Sequence, residues 1–173
     1  MHCENQVPAS VQKKLKVYLD TSVISYLHQE DSPERMRDTQ ALWQMFKEGR
    51  CNVVLSELTI KEVEKCYEPK KSFMLKSLSE IQHEMLPSYE ESARLALKII
   101  EMGILTAKSM DDCFHIASAL LSDCDCIASW NFKHMVNVRT ICGMQKIAQI
   151  EGYNPIAILS PSILLKNLEE GES

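Results

Sequence analysis

Hydrophobic residues in this chain fall into two patterns, short unbroken runs and longer stretches with helical spacing. Four runs are almost entirely apolar, which is typical of strands buried on both faces of a parallel sheet. They lie at 16–20, 52–56, 126–129 and 156–159. Amphipathic segments between them repeat apolar residues every three or four positions, which predicts helices. We therefore predict an α/β fold of three α/β/α layers, with a central parallel sheet of four or more short strands.

The polar and apolar segments also predict how the chain divides. Residues 1–15 are polar and predict a flexible N-terminal arm, 16–168 predict one domain, and 169–173 predict an acidic tail. A further short run, 84–87, predicts a strand at the sheet edge, and the helix after it is expected to start at Ser88 and Tyr89. The length of 173 residues and the 45% hydrophobic content fit a single domain with a sizeable core.

Composition narrows the possible classes of function. The formal net charge of -5 does not point to nucleic-acid binding, but a bound metal ion can supply local positive charge that the total does not show. Seven cysteines occur without Cys-x-x-Cys spacing, which argues against zinc-ribbon and thioredoxin-like proteins. No secretory leader and no apolar run of membrane-spanning length is visible. These features predict a cytoplasmic protein.

Oxygen-bearing side chains occur where the predicted strands end or where adjoining helices begin. Asp20 follows the first strand, and Glu62 lies in the helix after the second. Asp112 lies at the start of the helix before the third strand, and Asn131 follows that strand. Strand ends and helix starts of this kind share one edge of a parallel α/β sheet, where ligands bind. We therefore expect these four side chains to converge.

Each of the four also has an ordinary structural explanation. Asp20 is a favoured N-cap residue for the helix that follows it. The segment 59–62 has the spacing of a capping box, 109–112 resembles one, and Asn131 is a common turn residue. Capping alone, however, does not require the four residues to share one edge. Three carboxylates gathered there would repel one another, and Mg²⁺ or Mn²⁺ would relieve the repulsion through oxygen ligands.

Several short motifs resemble a known family. The segment Leu19-Asp-Thr-Ser-Val-Ile24 resembles the opening motif of PIN-domain nucleases, and it is most similar to the VapC toxin ribonucleases of bacterial VapBC toxin–antitoxin pairs. The later motifs have counterparts at 56–62, 112–119, 129–132 and 152–161. The resemblance covers about residues 16–165 and implies a PIN-like fold. It also implies metal-dependent hydrolysis of phosphodiester bonds in RNA, with an antitoxin and a second copy of the chain as partners.

The resemblance assigns roles to the converging residues. Asp20, Glu62, Asp112 and Asn131 become the candidate catalytic set, with Asp20 and Asp112 holding Mg²⁺ or Mn²⁺. Asp112 is preferred over its neighbour Asp111 because it fits the family spacing and shares a helix face with apolar residues. Asn131 departs from the acid common at the fourth position, so a second metal would bind weakly. A catalytically weak PIN-like module that binds RNA or protein is therefore the alternative.

Other residues carry secondary expectations. Four lysines could follow an RNA backbone, although interleaved acids also fit a solvated helix surface; the four are Lys61, Lys65, Lys70 and Lys71. Trp43 and Phe46 are expected to be exposed and to form a self-association surface. His115 is expected to pair with Asp111 at helical spacing. Glu-x-x-His spacing at 80–83 and the similar spacing at 112–115 also fit a di-iron helical bundle, which the strand-like runs argue against.

Overall fold

Five parallel strands form one central sheet. The computed structural model describes residues 13–87 and 90–171. The strands are β1 (Lys16–Leu19), β2 (Asn52–Ser56), β3 (His83–Leu86), β4 (Cys126–Ala128) and β5 (Ala157–Leu159). Their order across the sheet is β3-β2-β1-β4-β5, with every neighbouring pair parallel. The predicted α/β architecture is therefore confirmed, and β3 is the edge strand expected near 84–87.

The described ranges contain eight α-helices, of which seven lie between strands and the eighth follows β5. They are α1 (Thr21–Tyr26), α2 (Pro33–Lys47), α3 (Glu57–Glu64), α4 (Lys70–Ser79), α5 (Glu90–Glu101), α6 (Met110–Leu121), α7 (Val138–Glu151) and α8 (Pro161–Glu170). A single 3-10 turn, Ala107–Ser109, leads into α6. Because consecutive parallel strands need a crossover, each helical segment returns the chain so that the strands end at the same edge.

Side chains of the strands alternate between two hydrophobic cores. Tyr18 and Ile127 face one core, which they share with α5, α6 and α7. Val17 and Leu19 face the other, which they share with α1, α2 and α8. This alternation follows from the two-residue period of a β-strand. The sheet is therefore covered on both faces, and β1 lies in its centre with β2 and β4 on either side.

The prediction that Trp43 and Phe46 form an exposed self-association surface is wrong. Their exposed fractions are 3% and 2%, and their rings contact each other edge to face with centroids 5.9 Å apart. Helix α2 packs against α8, and both contribute to the same core. The apolar stripe of α2 is thus covered from within the domain, by a helix that lies far along the chain.

The predicted domain boundaries are only partly within the described residues. Residues 1–12 of the predicted arm, residues 172–173 of the predicted tail, and the expected helix start at 88–89 lie outside them. Helix α8 continues through Glu170, so the first two residues of the predicted tail are helical. No helix in the described ranges has the length and apolar content needed to cross a membrane.

Candidate active site

Each predicted site residue lies at the edge of the sheet where the strands end. Asp20 directly follows β1, and Glu62 lies in the second turn of α3, the helix that begins immediately after β2. Asp112 lies in the first turn of α6, and Asn131 lies three residues beyond β4. Because β1, β2 and β4 are neighbours in the sheet, these segments meet at one place.

The carboxylate of Asp20 is buried and held by two hydroxyl groups. Its exposed fraction is 6%, and its Oδ2 accepts hydrogen bonds from Ser22 Oγ and Ser129 Oγ, each at 2.6 Å. Asp20 occupies the N-cap position of α1, but its side chain makes no capping hydrogen bond. Helix capping therefore does not account for this acid. Its other oxygen, Oδ1, lies 3.8 Å from His115 Nε2.

Glu62 is not part of a capping box. Helix α3 begins at Glu57, and the N-cap is Ser56, whose Oγ accepts a hydrogen bond from the backbone N–H of Thr59. Glu62 therefore lies too far into the helix to reach the free N–H groups at its start. Its Oε2 instead accepts a hydrogen bond from the hydroxyl of Thr21 and lies 3.0 Å from His115 Nε2.

His115 is the main site residue that sequence reasoning missed. It is 1% exposed, and its Nδ1 lies 2.7 Å from the hydroxyl of Tyr18, which lies 2.7 Å from Ser56 Oγ. The expected pairing with Asp111 is wrong, because Asp111 is exposed and both nitrogens of His115 have other partners. The available signal was the Asp112-x-x-His115 spacing, which puts both side chains on one face of α6.

Asp20, Glu62 and His115 form a compact group of metal-binding side chains. One ligand atom from each lies within 4.8 Å of those of the other two. Two carboxylates and an imidazole fit the donor preferences of several divalent cations. In the described part of the chain, no lysine or arginine forms an ion pair with either carboxylate, so the imidazole of His115 is the one basic side chain in contact with them.

Asp112 belongs to a second hydrogen-bonded group. Its Oδ1 accepts a hydrogen bond from Asn131 Nδ2 at 2.9 Å, and its Oδ2 lies 2.8 Å from His134 Nδ1. Ser109 is the N-cap of α6 but makes no capping bond through its side chain, and its Oγ lies 3.2 Å from His134 Nδ1. The capping-box explanation therefore does not apply to Asp112. Asp111, beside it, is exposed.

Asn131 connects the two groups. Its backbone N–H donates to Ser129 Oγ at 3.0 Å, and that hydroxyl donates in turn to Asp20. Its side-chain oxygen accepts from the backbone N–H of His134 at 3.0 Å, while its Nδ2 donates to Asp112. The amide is thus engaged at both ends. In this arrangement Asn131 orients Asp112, and it joins the carboxylates without adding a negative charge.

The ionisable groups of the site influence one another. Burial raises the pKa of Glu62, but the hydrogen bonds and charge of His115 and the hydroxyl of Thr21 more than offset it, so the pKa is lowered. Burial lowers the pKa of His115, but Tyr18, Glu62 and Asp20 outweigh it and hold the pKa well above 6.5. The raised pKa of His115 and the lowered pKa of Glu62 both favour an ion pair between the two side chains, whose Nε2 and Oε2 lie 3.0 Å apart.

Asp112 has the opposite balance. Burial raises its pKa, His134 counteracts only part of this rise, and the negative charge of Asp20 raises the pKa further. Asp20 therefore disfavours the charged form of Asp112, although Asp112 lies outside the compact group of Asp20, Glu62 and His115. A divalent cation beside this carboxylate would favour its charged form and so offset the effect of burial.

Comparison with known proteins identifies the family. The sequence profile of the PIN domain matches residues 17–132, which is more than half of the chain. The chain belongs to the PIN domain family. The matched region includes all four predicted site residues and both strands that flank β1. This confirms the family resemblance inferred from the motifs, and a search of curated protein sequences gave no match.

A solved structure with the same fold is "Crystal structure of VapBC2 from Rickettsia felis bound to a DNA fragment from their promoter". The similarity covers 84% of this chain and 98% of that chain, with a TM-score of 0.54 and 11% sequence identity. At this identity the match supports a common fold. It agrees with the parallel five-stranded sheet of this PIN domain.

The lysines proposed to bind RNA lie on α3, at its C-terminal end and on α4 of the PIN domain, and most have local partners. Lys61 pairs with Glu57 at 3.9 Å, Lys71 pairs with Glu68 at 3.6 Å, and Lys70 donates to the side-chain oxygen of Gln29. Lys65 differs from these three lysines in that it acts on a site residue: its positive charge helps to lower the pKa of Glu62. The role of these lysines in RNA binding stays a prediction.

Proposed function

We propose that this protein is a metal-dependent ribonuclease that hydrolyses phosphodiester bonds in RNA. The proposal rests on one observation: Asp20, Glu62 and Asp112 lie at one edge of the sheet, and none of their side chains is used to cap a helix. Membership of the PIN domain family supports the same conclusion, because the motifs that carry the resemblance include these acids.

The donor set fits Mg²⁺ or Mn²⁺, which prefer oxygen ligands. We propose Asp20 and Asp112 as direct ligands and Glu62 as the residue that completes the shell or orients a water. A cation bound there would stabilise negative charge on the phosphate and lower the pKa of a bound water. His115 lies next to both Asp20 and Glu62; as an imidazolium it pairs with Glu62, and only after losing its proton would its Nε2 serve as a further nitrogen donor.

The hydrogen bonds to Asp20 and Glu62 leave one oxygen of each carboxylate available to a cation. The described hydrogen bonds to Asp20 reach Oδ2, and those to Glu62 reach Oε2. The second oxygen of each group, Oδ1 of Asp20 and Oε1 of Glu62, accepts no hydrogen bond from the described residues. Thr21, His115 and the two serines thus fix each carboxylate through one oxygen, which orients the other oxygen toward a bound cation.

The proposal is tested by cleavage of a mixed pool of single-stranded RNA. We expect cleavage with Mn²⁺ or Mg²⁺, loss of cleavage in excess chelator, and recovery when the metal is restored. A product pattern that persists unchanged in chelator would contradict the metal-dependent mechanism. RNA binding without cleavage under any of these conditions would favour the alternative, a PIN-like binding module, for which the neutral side chain of Asn131 is the motivating feature.

A basic cleft beside Asp112 provides a second place for the RNA backbone. This cleft has a volume of about 390 Å³, and its wall includes Lys108, Lys133, His134 and Arg139. His134 lines the cleft and contacts Asp112, so the cleft opens directly next to the site. In the described ranges neither Lys108 nor Lys133 forms an ion pair.

Charge-reversal mutations test whether RNA binds at the cleft or at the lysines of α3 and α4. We expect Lys133→Glu to weaken binding of single-stranded RNA several-fold and to reduce the salt dependence of the binding constant, because phosphate contacts release counterions. Lys61→Glu, the matched change on α3, is expected to have a smaller effect, because Lys61 already pairs with Glu57. The reverse order of effects in a salt titration would favour α3 and α4 as the RNA surface.

Partners are proposed by resemblance. The similar solved structure is of VapBC2 bound to promoter DNA, which motivates a cognate antitoxin for this chain. A homodimer is also proposed, at a surface other than Trp43 and Phe46, and the cytoplasmic location stays a prediction. Sedimentation at micromolar concentration, with and without the product of an adjacent reading frame, tests both assemblies. A single species near 19.7 kDa in both samples would contradict them.

A further inference from the structure

A cluster of three aromatic rings and one arginine lies beside the carboxylates. We call it the aromatic–arginine patch, and it consists of Tyr26, Arg35, Trp130 and Phe132. The guanidinium carbon of Arg35 lies 5.7, 5.4 and 5.1 Å from the ring centroids of Tyr26, Trp130 and Phe132. The rings adjoin one another, with centroid distances of 5.6 Å for Tyr26–Trp130 and 6.1 Å for Trp130–Phe132. The four side chains therefore form one continuous π surface.

The patch combines a fixed base with an open outer face. Trp130 is buried, and its indole N–H donates to Thr39 Oγ1 at 2.8 Å. Arg35 donates to the hydroxyl of Tyr26 at 3.2 Å, which orients its guanidinium plane. Arg35 itself is exposed, and the exposed fraction of Phe132 is 43%. A planar ligand can therefore reach the arginine and the phenylalanine without displacing the buried tryptophan.

Two short connections join the patch to the carboxylates. The backbone N–H of Trp130 donates to Ser22 Oγ at 2.9 Å, and Ser22 donates to Asp20. Phe132 directly follows Asn131, whose side chain donates to Asp112. The patch thus lies next to both proposed metal ligands. If a phosphate of a nucleic-acid strand lay at the carboxylates, the next nucleotide of that strand would lie close to Arg35 and Phe132.

The charge of Arg35 is not neutralised within the described part of the protein. No acid forms an ion pair with it there, whereas Arg94, another exposed arginine, pairs with both Glu91 and Glu151. The chain as a whole carries a net charge of -5, so an unpaired guanidinium beside a cluster of acids is a local exception. The patch therefore presents positive charge and π faces together. This combination is complementary to a nucleotide, because a nucleotide carries a flat base and a negatively charged phosphate.

We propose that the aromatic–arginine patch is a stacking subsite for one base of single-stranded RNA, next to the phosphate that is cleaved. This proposal rests on the proposed function, because it uses RNA as the substrate of the carboxylate site. Stacking on a protein surface requires an unpaired base, so the patch favours single-stranded over duplex RNA. Bases of any identity have a π face, so we expect little sequence preference from this subsite.

The test pairs base deletion in the RNA with side-chain deletion in the protein. A short single-stranded RNA is compared with versions in which one nucleotide at a time lacks its base, and binding is measured with Ca²⁺ in place of the catalytic metal. For the wild-type protein we expect one position in the RNA where removal of the base weakens binding by roughly 5- to 100-fold. For Arg35→Ala and Phe132→Ala we expect this loss of binding, which we call the base penalty, to disappear almost completely.

Matched controls separate stacking from charge and from general damage. Arg37→Ala removes a second exposed arginine of α2, and Phe73→Ala removes a ring with a similar exposed fraction of 45% on α4. Both are expected to retain the wild-type penalty. Arg35→Lys keeps the charge but loses the guanidinium plane, so we expect it to behave more like Arg35→Ala than like the wild type. Full recovery in Arg35→Lys would assign the effect to charge and overturn the stacking subsite.

The remaining outcomes separate this subsite from the nuclease proposal. Metal-dependent cleavage without a base penalty at any position, or with a penalty that persists in both patch variants, overturns the subsite and leaves the nuclease intact. A patch-dependent penalty without metal-dependent cleavage supports base stacking on the patch and overturns the nuclease. No RNA binding at all overturns both. If the patch variants treat RNA as the wild type does but no longer bind a co-expressed antitoxin, the occupant is a protein and the subsite is wrong.

Discussion

Asp20→Asn is expected to lower metal-dependent RNA cleavage by about 100-fold or more, because outer partners of metal ligands alone contribute up to about that factor. The substitution nearly keeps the shape of the side chain and removes one negative charge. Its amide oxygen can still accept the hydrogen bonds of Ser22 and Ser129, so we expect the variant to fold. Affinity for Mn²⁺ or Mg²⁺ should fall together with the cleavage rate, since both depend on the same carboxylate.

The control is an acid of the same type at the opposite edge of the sheet. Asp125 immediately precedes β4, and its carboxylate accepts a hydrogen bond from the backbone N–H of Lys16 at 2.7 Å. Asp125→Asn therefore tests the loss of a partly buried carboxylate away from the candidate site. Initial cleavage rates and metal binding by calorimetry would be measured for both variants. Equal rates for Asp20→Asn and the wild type at saturating metal would remove Asp20 from the proposed ligands.

The local pattern of the sequence is sufficient to place the acids but not to choose their roles. Short apolar runs followed by helices predicted that Asp20, Glu62 and Asp112 would approach one edge, because strand direction and sequence order determine this in a parallel sheet. Whether each acid caps its helix depends on where the helix begins. Helix α3 begins at Glu57, a start that the spacing of Thr59 and Glu62 alone did not reveal.

The errors concern contacts between distant parts of the chain. His115 contacts Tyr18 and Glu62, which lie on β1 and α3, and no periodicity within α6 identifies such partners. Trp43 and Phe46 appeared unpartnered because α8, which packs against α2, comes more than a hundred residues later. Local patterns indicate that a face is apolar, but the covering element follows from the whole topology. The same limit explains why Arg35 and Phe132 were not connected in advance.

His115→Leu is expected to lower the free energy of unfolding of the metal-free protein by about 3–5 kcal/mol, the usual cost of removing one partner of a buried ion pair. The imidazole is 1% exposed, and it lies 3.0 Å from Glu62 and 3.8 Å from Asp20. Leucine would leave these carboxylates without their nearest positive charge and would leave the hydroxyl of Tyr18 with one partner fewer. Denaturant unfolding in chelator measures the loss.

The pH dependence provides an independent check of the same pair. Because the folded pKa of His115 is raised above 6.5, its stabilisation is complete below about pH 6.5 and is lost as the pH rises through the folded pKa. The slope in that window is about 1.4 kcal/mol per pH unit. Because the pKa of Glu62 is lowered from 4.5, its contribution is complete above that value and is lost only at more acidic pH. His115→Leu should remove the part of the decline that begins just above pH 6.5, whereas the decline above about pH 9 from the buried cysteines, whose pKa values are also raised, should remain. A wild-type stability that stays flat between about pH 6.5 and 9 would contradict the ion pair.

Divalent cations should partly rescue the variant. Without the imidazolium, Asp20 and Glu62 carry charge that only a bound cation offsets, so Mg²⁺ or Mn²⁺ should raise the melting temperature of His115→Leu more than that of the wild type. His134→Leu is the matched control, because His134 contacts Asp112 but is about one-third exposed and should cost less stability. A smaller metal effect in His115→Leu than in the wild type would instead make His115 a direct ligand. In that case the site would hold its metal through a nitrogen as well as through carboxylate oxygens, and His115→Gln, which keeps a polar donor, should recover part of the binding.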